Sequence, residues 1–316
     1  MRKTNKEPQV IAIDAMGGDF APEAVLEGSL RYVKATCTPV CLFGPQDELR
    51  RVLDQLDSGW EQYPISIMNA PQIISMGQEP VQAVRLMPDS SLVRAVASVR
   101  DGDCRVALSA GNSGAMMAAA LFLIGRNKGV ERPALVGLLP GASGATVCLD
   151  LGANADCKAN NLYQFAHLGV QYAQDFLDRD RDDITVGLLS NGEEPGKGSL
   201  VTKEAFALLQ KSFLNFVGNV EPQHVLAGKV DVVVSDGFAG NVLLKTFEAT
   251  VWLCGKKKEH SFGKSGGALL LGVKKPVVIV HGNASVSDIE KAIRFAQKIS
   301  LVNVESYTIE PMVPNR

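Results

Sequence analysis

The sequence predicts an α/β protein with a doubly wound, mostly parallel sheet, and three observations predict it. Short apolar runs recur along the chain, several of them apolar at consecutive positions, as strands covered on both faces require. Turns rich in glycine, asparagine and aspartate follow several of these runs. Amphipathic stretches of helical length come next, and the alternation repeats.

In chain order, a strand over 10–13 leads to a helix over 22–35. Pro22 suits the first turn of that helix, because its missing N–H has no intrahelical partner there. A strand over 40–43 precedes a helix over 46–56, where Leu49, Val52, Leu53 and Leu56 mark one face. A helix over 91–100, a strand over 106–108 and a helix over 115–124 follow. Strands over 146–149, 184–189 and 230–234 lead to helices over 160–177, 200–211 and 242–254, and a strand over 277–280 leads to a helix over 287–299. Residues 106–125 carry no charge, yet the polar and glycine residues of the first half leave a helix of only about 16 Å. That is short of roughly 30 Å of hydrocarbon, so a buried helix is expected. No low-complexity linker divides the chain, which predicts a single α/β domain over 10–312 behind an N-terminal tail over 1–9.

A net charge of -2 over 316 residues leaves no basic excess for nucleic acid, and 6% aromatic content leaves no stacking surface for single strands. The six cysteines include no Cys-x-x-Cys pair and only four histidines accompany them, which argues against zinc and for reduced, mostly buried thiols. The apolar run at 10–13 is too short for a signal peptide. Lys256-Lys257-Lys258 reads as a solvated turn.

In a doubly wound sheet, ligands bind beyond the carboxyl ends of the strands. Five turns there are dense in Gly, Asn and Asp: 14–19, 109–114, 150–158, 191–198 and 235–241. The 109–114 turn, with Ser109, Gly111, Asn112 and Ser113, is the clearest anion candidate, since free N–H groups and the helix dipole favour phosphate. An ordinary N-cap by Asn112 or Ser113 is the plain alternative. Asp236 and Asn241 bracket a glycine turn where a carboxylate can shuttle a proton and an amide can orient a carbonyl or phosphate. The alternative for Asp236 is a turn-forming aspartate. Lys197, among glycines, offers a point charge to an anion, or is a surface lysine. Asp150, Asn154, Asp156 and Lys158 have metal-ligand or salt-bridge character by type. No G-x-G-x-x-G follows a strand, and Gly263-Lys264-Ser265 lacks the first glycine of a nucleotide loop, where Lys258 stands.

Together these turns resemble the bacterial phosphate acyltransferase family, the acyl-acyl-carrier-protein:phosphate transacylases. The matching stretches are IDAMGGD (13–19), SAGNSGA (109–115), GRNKGVERPAL (125–135), LDLGANADCK (149–158), GEEPGKG (192–198), FVGNVE (216–221) and SDGFAGNVLLKT (235–246). The sequence departs from the family pattern at Phe20, at Leu86-Met87-Pro88, at Ser199-Leu200, at Asn283-Ala284-Ser285 and in a shorter 250–262 segment. The resemblance implies a Rossmann-like fold akin to phosphotransacetylases and isocitrate dehydrogenases. It implies a cytoplasmic homodimer, peripheral at the inner membrane face, that makes acyl phosphate for phospholipid synthesis without cofactor or metal. The implied partners are acyl-acyl-carrier protein, inorganic phosphate and a membrane glycerol-3-phosphate acyltransferase.

On this reading, Asp236, Lys197 and Asn241 are the expected catalytic residues. Phosphate and substrate contacts are expected from Asp14, Gly17, Gly18, Ser109, Gly111, Asn112, Ser113, Asn154, Lys158 and Gly237. Two other readings compete: a catalytically weakened acyl or phosphate binder, and a metal- and NAD-dependent dehydrogenase of related fold. Product formation separates the first from an active transferase, and the missing dinucleotide loop argues against the second.

Overall fold

A computed structural model describes residues 9–177, 179–253 and 266–309. Cys254, the lysine run 256–258, the 263–265 tripeptide and the part of the 250–262 segment beyond 253 lie outside the described residues.

The elements in chain order are β1 (Ile11–Asp14), α1 (Glu23–Thr36), β2 (Val40–Gly44), α2 (Gln46–Leu56), β3 (Ile65–Asn69), α3 (Pro80–Leu86), α4 (Ser91–Asp101), β4 (Val106–Ser109) and α5 (Ser113–Ala119). They continue with β5 (Ala134–Pro140), β6 (Ala145–Leu149), α6 (Ala159–Phe176), β7 (Thr185–Leu189), α7 (Leu200–Leu209), β8 (Asn215–Val220) and α8 (Pro222–Ala227). Last come β9 (Val232–Val234), α9 (Gly237–Leu253), β10 (Ala268–Leu271), β11 (Val277–Ile279) and α10 (Val286–Ile299). Contacts divide the chain into two compact units, one built from the chain up to Gly125 with Lys275–Val302, the other from Arg126–Lys274 with the chain from Asn303 on.

In the first unit the strand order is β3, β2, β1, β4, β11, all parallel. Strands β1, β2, β4 and β11 are buried at every position, as helices on both faces demand. Leu49, Val52 and Leu53 turn the apolar face of α2 inward, whereas Leu56, the last residue of the predicted stripe, is exposed at the helix end. The Ser90 hydroxyl accepts the Val93 N–H to start α4, and Gly102 ends it in the left-handed region. Helix α5 begins at Ser113, two residues before the predicted start, and widens into a π-turn over Ala120–Ile124. Its burial is incomplete: Phe122 is exposed, with the Arg85 guanidinium 5.2 Å from its ring centroid.

In the second unit the order is β10, β5, β6, β9, β7, β8. The ladders β10–β5 and β5–β6 are antiparallel, and β6–β9, β9–β7 and β7–β8 are parallel. The mostly parallel, Rossmann-like class therefore holds. Four strands, β3, β5, β8 and β10, are absent from the sequence-based prediction. Strands β3 and β8 are edge strands, half-exposed and interrupted by polar residues. Strand β5 lies just after Pro133, contains Gly137 and ends in Pro140, all of which read as breakers. Ala268–Leu271 is too short for its period to be read.

Candidate functional site

Strands β1 and β4 run side by side, Ile13 opposite Leu108, so their carboxyl ends release two neighbouring turns. Asp14, at the end of β1, is 2% exposed; the Ser109 hydroxyl donates to its carboxylate at 2.6 Å and the Met16 N–H at 3.3 Å. Ser109 also accepts the Gly111 N–H at 2.9 Å. Burial drives the Asp14 carboxyl above its ordinary range, and the hydroxyls of Ser109 and Ser91 and the Met16 N–H oppose that rise by favouring the anion. Only glycine fits where the turns touch, because a Cβ on Gly17 would stand 2.5 Å from Asp14 Oδ2 and 2.7 Å from the Gly111 nitrogen. Gly18 lies beside Ala110 and Gly282, and the next N–H, that of Asp19, donates to the Gly282 carbonyl at 2.7 Å.

The side chains of Ser109 and Asn112, expected on phosphate, are engaged by the protein itself. Asn112 Oδ1 caps α5 by accepting the Ala115 N–H at 3.0 Å, while Nδ2 donates to the carbonyls of Ser75, Met76 and Gln78 at 3.0–3.3 Å. The plain N-cap alternative therefore describes Asn112, with a strut to the 75–78 loop added. Ser113 is exposed at the first position of α5, and its N–H and that of Gly114 have no intrahelical acceptor. What the turn offers an anion is backbone.

In the second unit β6 and β7 flank β9 in parallel, Leu149 and Leu188 both opposite Val234. The 150–158, 191–198 and 235–241 turns thus leave one edge. Among the described residues, Asp150 forms no salt bridge and belongs to no metal cluster. Its side chain is fully buried and met by N–H groups: Oδ1 accepts from Leu135 at 2.9 Å, Gly152 at 3.2 Å and Ala153 at 2.9 Å. Oδ2 accepts from the Asn154 backbone at 2.7 Å and from Asn154 Nδ2 at 2.8 Å. Burial raises the Asp150 carboxyl above its usual range, while the N–H groups of Ala153, Asn154 and Leu135 pull the other way.

The 235–241 stretch is not a free loop, since α9 starts at Gly237 rather than at 242. Asp236 Oδ1 accepts the Ala239 N–H at 2.7 Å, a cap three residues on rather than a turn two residues on. Gly237 N–H donates to the Asn154 carbonyl at 2.8 Å, and Asn241 Nδ2 donates to the Leu151 carbonyl at 3.0 Å. The 150–154 turn and the start of α9 are therefore joined by hydrogen bonds, Asn154 with Gly237 and Leu151 with Asn241, and Asp236 stands at the head of that helix. Lys197 and Lys158 lie exposed on the adjoining turns of the same unit. The Lys197 turn is pinned by Asn219 Nδ2 on the Glu194 carbonyl at 2.8 Å and by the Gly198 N–H on Asn191 Oδ1 at 2.8 Å. Asp14, Gly17, Gly18, Ser109, Gly111, Asn112 and Ser113 belong to the first unit.

Two contributors are missing from the sequence-based site. Ser91 faces Asp14 from the start of α4, and no local signal announces it. Asp150 had a signal, an aspartate closing an apolar run before Leu-Gly-Ala-Asn, but its type suggested a metal or ion pair. Among the described residues, no group of three or more His, Cys, Asp or Glu side chains is placed to hold a metal ion. No helix among them is long and apolar enough to cross a membrane.

Residues 9–256 match the family described as fatty acid synthesis protein. The chain is 42% identical to a phosphate acyltransferase of Pelotomaculum thermopropionicum, with 91% of this chain and 90% of that protein covered. It is 39% identical to a phosphate acyltransferase of Desulforudis audaxviator, with 93% of each covered. A solved phosphotransacetylase from Streptococcus pyogenes shares the fold at a TM-score of 0.68 and 20% identity, covering 94% of this chain and 95% of that one. With motifs, fold and near-full-length relatives in agreement, the chain belongs to the phosphate acyltransferases of the fatty acid synthesis protein family.

Proposed function

We propose that this enzyme moves a fatty acyl group from acyl-acyl-carrier protein to inorganic phosphate, reversibly, supplying acyl phosphate for phospholipid synthesis. The observation that supports this most is the Asp236–Asn241 turn, a carboxylate and an amide held by backbone bonds at the start of α9. A phosphate oxygen adds to the thioester carbonyl carbon; the C–S bond then breaks and the carrier thiolate takes a proton. Phosphate is already an oxyanion, so holding it is the enzyme's main task. The charge of Lys197, on a turn of the same unit as Asp236, suits that task. Asp236 Oδ1 is held by Ala239, which leaves Oδ2 to take the proton that the attacking hydrogen phosphate loses and pass it to the departing sulfur, the same relay running backwards in the reverse reaction. Asn241 spends one amide N–H on Leu151 and retains another for the carbonyl oxygen, a kind of donor worth about 2.7–4 kcal/mol in the transition state. The protein works as a cytoplasmic homodimer, peripheral at the inner membrane face, and hands its product to a membrane glycerol-3-phosphate acyltransferase.

Purified protein incubated with acyl-acyl-carrier protein and labelled phosphate is expected to accumulate labelled acyl phosphate. Binding of both substrates without product would instead identify a catalytically weakened relative.

A further inference from the structure

The buried carboxylate of Asp150 holds the 150–154 turn together, and that turn is hydrogen-bonded in turn to the stretch that carries Asp236 and Asn241. We propose that Asp150 is a positioning residue for acyl transfer, its carboxylate ordering the 150–154 turn on which Asp236 and Asn241 are seated. The proposal rests on the catalytic reading of Asp236 given above.

Five N–H bonds converge on this one carboxylate, from Leu135, Gly152, Ala153 and twice from Asn154. Only the anion accepts at both oxygens with no donor of its own; an amide in its place keeps one accepting oxygen and turns an NH2 group toward further donors. The order so imposed passes to the neighbouring turn through three residues. Asp150 itself donates its N–H to the Ser235 carbonyl at 3.1 Å and accepts the Ser235 hydroxyl at 3.4 Å. Leu151 accepts Asn241 Nδ2, and Asn154 accepts the Gly237 N–H. Asn154 is aimed by Asp150 through both its backbone N–H and its Nδ2, which also donates to the Pro133 carbonyl at 2.8 Å, so two of the three bonds that it donates run to the carboxylate. The contact has no slack, since a Cβ on Gly240 would fall 2.0 Å from the Asp150 carbonyl oxygen. A shift of Asp150 must therefore displace the first turn of α9, with Asp236 at its head.

The test is a double-mutant cycle with steady-state kinetics of acyl phosphate formation. It uses wild type, Asp150→Asn, Asp236→Ala and the double variant, each checked for folding by its melting temperature. Asp150→Asn is expected to lower kcat about 100-fold, the scale of a misplacement near 1 Å, with KM for phosphate little changed. In the Asp236→Ala background the same substitution is expected to cost no more than about twofold, because its effect runs through the residue already removed. Equal losses in both backgrounds would mark a merely structural role and overturn the proposal. Full activity of a folded Asp150→Asn would do the same. If Asp150→Asn does not fold, Asn154→Ala takes its place in the cycle, sparing the carboxylate and its backbone bonds. Its expected loss is about tenfold in wild type and none beside Asp236→Ala, and an unchanged kcat overturns the proposal. A fully active Asp236→Ala would remove the reading of Asp236 and this inference together, whereas a much weakened one leaves only the inference at stake.

Discussion

His167 lies in α6 with its ring centroid 4.6 Å from that of Tyr163, and its Nε2 is buried without a partner. Burial, with a smaller push from Arg181, lowers its pKa from 6.5 to about 4. The unfolded chain therefore binds that proton more readily than the folded one. The stability involved is complete above pH 6.5 and is lost as pH falls through about 4. His167→Phe is expected to flatten this acid limb by up to about 3 kcal/mol, read as urea midpoints across pH. Asp14 and Asp150 have the opposite sign. Burial raises both, so what they contribute is whole below the ordinary aspartate range and is lost as pH climbs through their folded values. At the turn proposed to be catalytic, Asp236→Ala is expected to cut kcat about 10²–10⁴-fold. The loss of its cap should cost only about 1 kcal/mol of stability. Lys197 is exposed, so Lys197→Ala should weaken phosphate use in the same assay and leave the melting temperature where it was.

At the scale of elements, the close seat of α9 on the 150–154 turn sets the sharpest expectation. Gly240→Ala places a methyl 2.0 Å from the Asp150 carbonyl oxygen, so it should cost about 1–3 kcal/mol or more and most of the activity. Gly196→Ala meets nothing within 4 Å and should be neutral to within about 0.5 kcal/mol. Urea midpoints and turnover of the two variants make the comparison. Elements with a strong local signature were legible in the sequence: α2 starts and stops where its leucine face predicts, and β1, β2 and β4 follow their apolar runs. Elements whose identity depends on neighbours were not. Strands β3 and β8 are strands because an inner strand offers them a ladder, although their own residues alternate poorly. The starts of α5 and α9 were placed too late, since glycine and serine turns and capped first turns use the same residues.

At the scale of the whole chain, the length of the acyl group enters the proposed reaction through burial of its methylenes. Each buried CH2 contributes about 0.8 kcal/mol, so acyl donors differing by one methylene should differ by no more than about fourfold in kcat/KM. A steep cutoff across a thioester series would show a closed end to the acyl site. The class of fold and the family were both determined by residue order alone, because burial periods, breakers and motif spacing are local properties. Which side chains stay available for a ligand was decided only by tertiary structure. Ser109 meets Asp14 across 95 residues and Asn241 meets Leu151 across 90, pairings created by strand order. Hydrogen-bond capacity is finite, so a serine or asparagine that looks free in a turn is committed once the sheet brings its partner alongside.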